Sequence, residues 1–296
     1  MKKEKKEKKY IAPNECSFKR WVAVLVVGLV IGFLMGAPFS LLAQQDNSFM
    51  GIRYFELFGQ LNFLAMFLGM ALAIKFIGKT SMKDFILGVG GKVNKKECLT
   101  VMGLYFAGMA LVYLLLAQYI SVRHVNAGEF VFLFVFMVLT TWAQTTWEEL
   151  VFRGLVIRWA CKNEVRFTKK AVIVALASAL AFALAHAPNT EVTSQPDVFR
   201  MVMAVSAYAI PGLLMFFADL YFGSLVPGIL IHWVNNFILF TVISSEVTVM
   251  PVPTLLVDSS PHLAEFMVLS NLGAYVPLFV YIFLDARKKK KAAAVS

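Results

Sequence analysis

Eight stretches of this chain run for about twenty residues with few charges, at about 20–43, 54–78, 98–120, 129–158, 170–187, 200–222, 224–245 and 264–286. A helix of that length crosses the hydrocarbon core of a bilayer, and it satisfies its own backbone N–H and C=O groups there, which an irregular segment cannot do. The expected fold class is therefore all-α: a polytopic integral-membrane helical bundle with about eight transmembrane helices. Composition agrees, since 59% of the 296 residues are hydrophobic, against roughly 45–50% in soluble domains.

The formal charge of +10 would suit a nucleic-acid binder, but the basic residues stand in short clusters between the apolar stretches, and no nucleic-acid motif is present. Read as topology signals, they are strongly one-sided. Only Arg53, Arg123 and Arg200 fall between stretches on one side, and every other Lys and Arg falls on the side of the termini. Under the positive-inside rule both termini are cytoplasmic. The division expected is a basic N-terminal tail over 1–19, a single transmembrane domain over 20–286 with its core at about 129–245, and a basic C-terminal tail over 287–296. The first apolar run is too long for a signal-peptide core and is taken as a retained span. The Lys- and Phe-rich composition with short loops points to a bacterial plasma membrane. Membrane lipid is the one partner this class guarantees; oligomeric state is not legible.

Smaller features have mainly structural readings. Cys16, Cys98 and Cys161 are too scattered for a disulfide framework or a zinc-cysteine site and are expected as free thiols. Gly28, Gly32 and Gly36 form a small-residue stripe suited to close helix packing. The stretch 80–97 mixes apolar residues with lysine and suits the cytoplasmic interface.

The chemistry is concentrated in three short patterns. Trp147-Glu148-Glu149-Leu150-Val151-Phe152-Arg153 puts two acids inside an apolar run, where an ionised carboxylate costs about 2.5–3.5 kcal/mol even on lenient insertion scales. Glu149 and Arg153 are four apart, so a helix pairs them on one face, while Glu148 is turned about 100° away, toward a cavity. His186 follows Phe182 by one turn, and Asn236 follows His232 by one turn. Two glutamates, two histidines and an asparagine on separate spans could hold a water between a carboxylate base and imidazole or amide donors, as amide hydrolysis requires. The same groups could instead ligate zinc in a His₂Glu set, although no H-E-x-x-H is present. His124 and His262 are read as surface groups, and Asp219 and Asp285 as interfacial ones.

Glu148-Glu149-x-x-x-Arg153, Phe182-x-x-x-His186 and His232-x-x-x-Asn236, in this order on successive membrane segments, resemble the CAAX protease and bacteriocin-processing family, also called Abi, which includes the type II CAAX prenyl endopeptidases. The resemblance covers roughly 130–245. It implies an intramembrane endopeptidase acting on a membrane-associated peptide or protein substrate. By the same resemblance Glu148 with His186 activates water, His232 and Asn236 stabilise the oxyanion, and Glu149 with Arg153 orients the site. A metal, if one is bound, would be zinc held by Glu148, His186 and His232; no other cofactor is implied. Two other functions are weighed against the peptidase: a catalytically silent member of the same fold acting as a regulator, and a proton-coupled transporter, disfavoured because no internal repeat is visible. Counting at ~1.5 Å per residue from the basic side puts Glu148 and His232 some 12–15 Å deep and His186 nearer 24 Å, a mismatch for three groups sharing one water.

Overall fold

The computed structural model describes residues 17–88, 95–161, 168–248 and 250–295; most of the expected N-terminal tail, with Cys16, lies outside them. Helix α1 (Phe18–Leu42) is followed by a hairpin of β1 (Ser48–Phe49) and β2 (Ile52–Arg53), then α2 (Tyr54–Phe76), the short α3 (Met82–Leu87) and α4 (Lys95–Leu115). Strand β3 (Ile120–Val122) leads into α5 (Ala127–Glu149), which continues through π-helical turns at Leu150–Gly154 and Ile157–Cys161. The rest comprises α6 (Lys169–Ala185), the one-turn α7 (Thr190–Thr193), α8 (Val198–Phe222), α9 (Val226–Thr241), β4 (Ile243–Ser245), β5 (Leu256–Asp258) and α10 (Leu263–Val295).

All eight expected stretches are helical, but they are not equal. Six are long and apolar enough to cross a membrane by length and composition: α1, α2, Cys98–Leu115 of α4, α5 with its π turns as Ala127–Ala160, α8, and Leu263–Asp285 of α10. The stretches expected at 170–187 and 224–245 form helices of only 17 and 16 residues. These rise about 24–26 Å, short of a ~30 Å hydrocarbon core. Both are shortened where polar or turn-forming sequence intervenes: His186-Ala187-Pro188-Asn189 ends α6, and Gly223 in the left-handed conformation (φ 64°) separates α8 from α9. Among the described residues the molecule is thus a helical membrane protein with six full-length candidate spans; of the two expected stretches that fall short, α6 is capped by His186 and α9 carries His232.

The helix order follows from small residues where axes approach. Gly28, Gly32 and Gly36 are buried against α2, as the stripe predicts: a Cβ at Gly32 would lie 2.8 Å from the Met66 Cα. At the α4 and α10 crossing, a side chain on Gly108 would collide with the Gly273 carbonyl. Helix starts use side-chain caps: Asn126 accepts from the Gly128 and Glu129 amides, and Thr168 from the Ala171 amide.

Two segments have more structure than the sequence alone suggests. Within the 80–97 stretch, α3 is docked on the bundle: Phe85 is fully buried against Trp21 and beneath the Arg158 guanidinium, which lies 3.9 Å from its ring centroid. Arg158 Nη2 also donates to the Asp84 and Phe85 carbonyls. Residues 89–94 lie outside the described set. Helix α10 continues to Val295, through the segment read as a basic tail. At the end of the bundle where α1, α4, α6 and α9 finish, β4 and β5 run parallel and β5 pairs antiparallel with β3, forming a small three-stranded cap.

Candidate active site

Helix α5 delivers both acids at its last two α-helical positions, and the backbone then widens into the π turn Leu150–Gly154. Such turns insert a residue into the helical register and recur at functional sites. The shifted Phe152 carbonyl is taken up by the Ser178 hydroxyl of α6. Gly154 lies against α3 and the start of α9: a Cβ there would sit 2.7 Å from Phe85 Cε1 and 2.8 Å from Leu225 Cδ1.

Four of the expected site residues form one buried cluster. Arg153 Nη1 lies 3.3 Å from Glu149 Oε1, the i,i+4 pairing the spacing predicts, and both side chains are fully buried. The other side of the guanidinium faces the Phe182 ring, whose centroid is 4.1 Å from Cζ, a cation–π contact strengthened by exclusion of water. From α9, His232 Nδ1 donates to the same Glu149 Oε1 at 2.7 Å. With Nδ1 so engaged, Nε2 is turned to Glu148, 3.4 Å from Oε2. Glu148 Oε1 accepts from Gln144 Nε2 at 3.1 Å, and Gln144 Oε1 accepts from Gln60 Nε2 of α2 at 2.9 Å. A continuous polar line therefore runs through the apolar bundle from Gln60 to Arg153.

The two glutamates differ as their helical phase requires. Glu148, with Gln144, His186, His232 and Asn236, lines a cavity of about 820 Å³; Glu149 and Arg153 stand behind its wall. His186 and Asn236 reach the cavity without joining the cluster. His186 follows α6 as its cap, its Nδ1 donates to the Phe182 carbonyl at 2.8 Å, and its ring stacks on Tyr208 at 4.4 Å between centroids. Because a carbonyl can only accept, Nδ1 carries the proton and Nε2 of the neutral ring is an acceptor. Phe182, one turn below, is the residue that contacts His232, at 5.8 Å between centroids. The expected depth mismatch thus has a structural counterpart: His232, rather than His186, pairs with Glu148.

Sequence reasoning passed over several neighbours. Asn235 accepts from the Tyr105 hydroxyl at 2.6 Å and donates to Asn236 Oδ1 at 3.1 Å, which fixes the Asn236 amide with its NH₂ available. The adjacent pair Asn235-Asn236 was the available signal. Gln144 could have been found because it precedes Glu148 by one turn; Tyr208 and Gln60 had no local signal. Asp219, read as interfacial, is fully buried near the end of α8, where its Oδ1 accepts from the Gly228 amide at 3.1 Å in the first turn of α9. It holds the start of the helix that carries His232. Asp285 accepts from the Tyr221 hydroxyl, and His124 and His262 are exposed.

Residues 128–238 match the family described as Type II CAAX prenyl endopeptidase Rce1-like. This segment is a domain of that family. The match begins at the start of α5 and ends within α9, so the Rce1-like domain contains every residue of the three patterns. It is a peptidase family, and the buried cluster of Glu148, Glu149 and His232 is consistent with a catalytic site. No curated protein and no solved structure matches the chain.

The zinc set expected from Glu148, His186 and His232 does not fit this geometry. Among the described residues no group of three or more His, Cys, Asp and Glu side chains could hold a metal ion. Glu148 and His232 are neighbours, but His186 faces Tyr208, and a catalytic zinc needs three protein donors within about 2.2 Å of one point.

Proposed function

We propose that the protein is an intramembrane endopeptidase that hydrolyses a peptide bond with water activated by Glu148. The observation that carries this reading is the asymmetry of the two acids: Glu149 is locked to Arg153 and His232 behind the wall, whereas Glu148 lines the cavity with its Oε2 facing His232 Nε2. A base must reach its substrate and a positioning group need not.

In the reaction Glu148 accepts a proton from water as the oxygen attacks the scissile carbonyl carbon. His186 Nε2, which also lines the cavity, is a second acceptor for that water. Negative charge develops on the carbonyl oxygen, and the donors one turn apart on α9 are the Asn236 amide and, when its Nε2 also carries a proton, His232. Preorganised donors of this kind are typically the largest contribution to such a rate. Collapse of the tetrahedral intermediate breaks the C–N bond as the proton held by Glu148 passes to the leaving amine; the second proton of the water, left on the new carboxylic acid, is then taken up by the amine, giving a carboxylate and an ammonium. Glu149 keeps the His232 ring oriented through Nδ1, as the acid of a catalytic triad does. The six full-length spans together with the shorter α6 and α9 form the membrane domain in this proposal, with both termini cytoplasmic and the substrate a membrane-associated peptide or protein in a bacterial plasma membrane.

Reconstituted wild type, Glu148→Gln and His232→Ala are compared on a quenched peptide library, prenylated and not, with and without chelator. Cleavage by wild type and its loss in both variants, with unfolding temperatures unchanged, is the expected result. Cleavage that survives Glu148→Gln would sink the assignment of the base, and inhibition by chelator would require a metal-bound water instead.

A further inference from the structure

The cavity is not centred in the bundle. Its described lining reaches the connections after α1 (Ala43, Gln44), after α6 (Asn189, Glu191) and after α9 (Ser245, Asp258), but includes no residue of 64–104, 153–181 or 216–231. The helix pairings make this a statement about ends. Helices α2, α5, α8 and α10 enter from the cavity side, and α1, α4, α6 and α9 finish there. Lys19, Arg20, Lys75, Lys79, Lys83, Lys95, Lys169 and Lys170 all belong to the opposite end. Basic residues stay on the cytoplasmic side of a membrane protein, so the cavity reaches the non-cytoplasmic face.

The lining has a sign as well as a side. It contains four carboxylates, Glu56, Glu148, Glu191 and Asp258, and no lysine or arginine. Glu56 is paired with Arg53 at the rim; the rest of the wall is largely aromatic and aliphatic. Apolar walls with acidic groups at the rim complement a chain that is apolar where it leaves the bilayer and cationic beside it.

We infer that the substrate is the non-cytoplasmic segment of a membrane-bound peptide or protein carrying lysine or arginine next to its apolar stretch. The inference rests on the peptidase reading for the word substrate, but side and charge follow from the cavity alone. It also supplies selectivity. Ordinary membrane proteins are depleted of Lys and Arg on that face, so an acidic cavity opening there discriminates against most of the chains it meets.

Side is tested without reference to cleavage. In full-length protein with Cys16, Cys98 and Cys161 replaced by serine, Gln44→Cys, Ser270→Cys and Lys79→Cys are labelled with an impermeant maleimide from either face of oriented phosphatidylcholine proteoliposomes. Gln44→Cys at the mouth and Ser270→Cys on the wall should react only from the face opposite Lys79→Cys. Labelling of Ser270→Cys from the Lys79 face, or from neither face, overturns the inference. Charge is tested with two fluorescent acylated peptides that differ only in a Lys-Lys or Glu-Glu pair beside the anchor. The Lys peptide should bind about 3–10-fold more tightly, and Glu191→Gln with Asp258→Asn should shrink that preference several-fold. Equal affinity of the two peptides, or a preference unchanged in the double variant, rejects the charge claim. If the Lys peptide binds as expected and is never cut, the peptidase reading fails while side and charge stand.

Discussion

At the scale of the residue, the decisive fact is that a guanidinium and a carboxylate are fully buried together at Arg153 and Glu149. Removing one member of a buried ion pair leaves the other uncompensated, which costs about 3–5 kcal/mol. Arg153→Met should therefore lower stability by about that amount and abolish activity. Glu148→Gln should change stability by less than about 1 kcal/mol, because its carbonyl oxygen still accepts from Gln144. Unfolding in detergent followed by intrinsic fluorescence separates the two; similar losses for both would mean that Glu148 is structural. The spacing of Glu149 and Arg153 made their contact legible from sequence. The ring that completes the cluster was not: His232 is 83 residues from Glu149, and no local pattern says which histidine reaches Glu148. That was decided by the end of α6, where His186 turns into the cap and stacks on Tyr208.

At the scale of the element, small residues and the strand cap position the site. Gly32→Leu would drive a side chain into the Met66 backbone; overpacking of this kind typically costs about 1–3 kcal/mol. It should lower the unfolding temperature while leaving the pH dependence of cleavage unchanged, since α1 carries no site residue. A Gly32→Leu protein as stable as wild type would mean that α1 is free to move away from α2.

The cap makes a pH-dependent contribution. Asp258 on β5 is 3% exposed; burial pushes its carboxyl above the ordinary 3.8, the Ser260 amide partly offsets this, and Glu246 adds to the rise. The folded state then binds this proton more tightly than the unfolded state does. Stability falls as pH rises from about the unfolded value of 3.8 through the raised folded one, and the penalty persists at neutral pH. Asp258→Asn should be more stable than wild type above that window and equal to it below, seen as unfolding temperature against pH. Parallel curves for the two proteins would show that Asp258 does not carry the effect.

At the scale of the whole molecule, the proposed orientation rests on the alternation of basic and non-basic connections under the positive-inside rule. A fluorescent-protein fusion after Val295 should fluoresce in cells, and a periplasmic phosphatase fused after Arg123 should be active. Activity of the phosphatase at the C-terminus instead would invert the molecule and with it the side from which the cavity is reached.

What the sequence determined by itself was whatever depends on local spacing and composition. Apolar runs of about twenty residues imply membrane helices, glycine at intervals of four implies close packing, i,i+4 charges imply a pair, and one-sided lysines imply an orientation. The eight helices, the glycine contacts with α2 and the Glu149 to Arg153 pair all have that origin. The tertiary structure decided what depends on distances between segments remote in the chain: two helices too short to span by themselves, Phe85 drawing α3 into the core, Asp219 holding the start of α9, and His232 rather than His186 beside Glu148. The physical reason is that a helix's face and length are written in its own residues, whereas its depth and rotation against its neighbours are set by packing summed over the bundle.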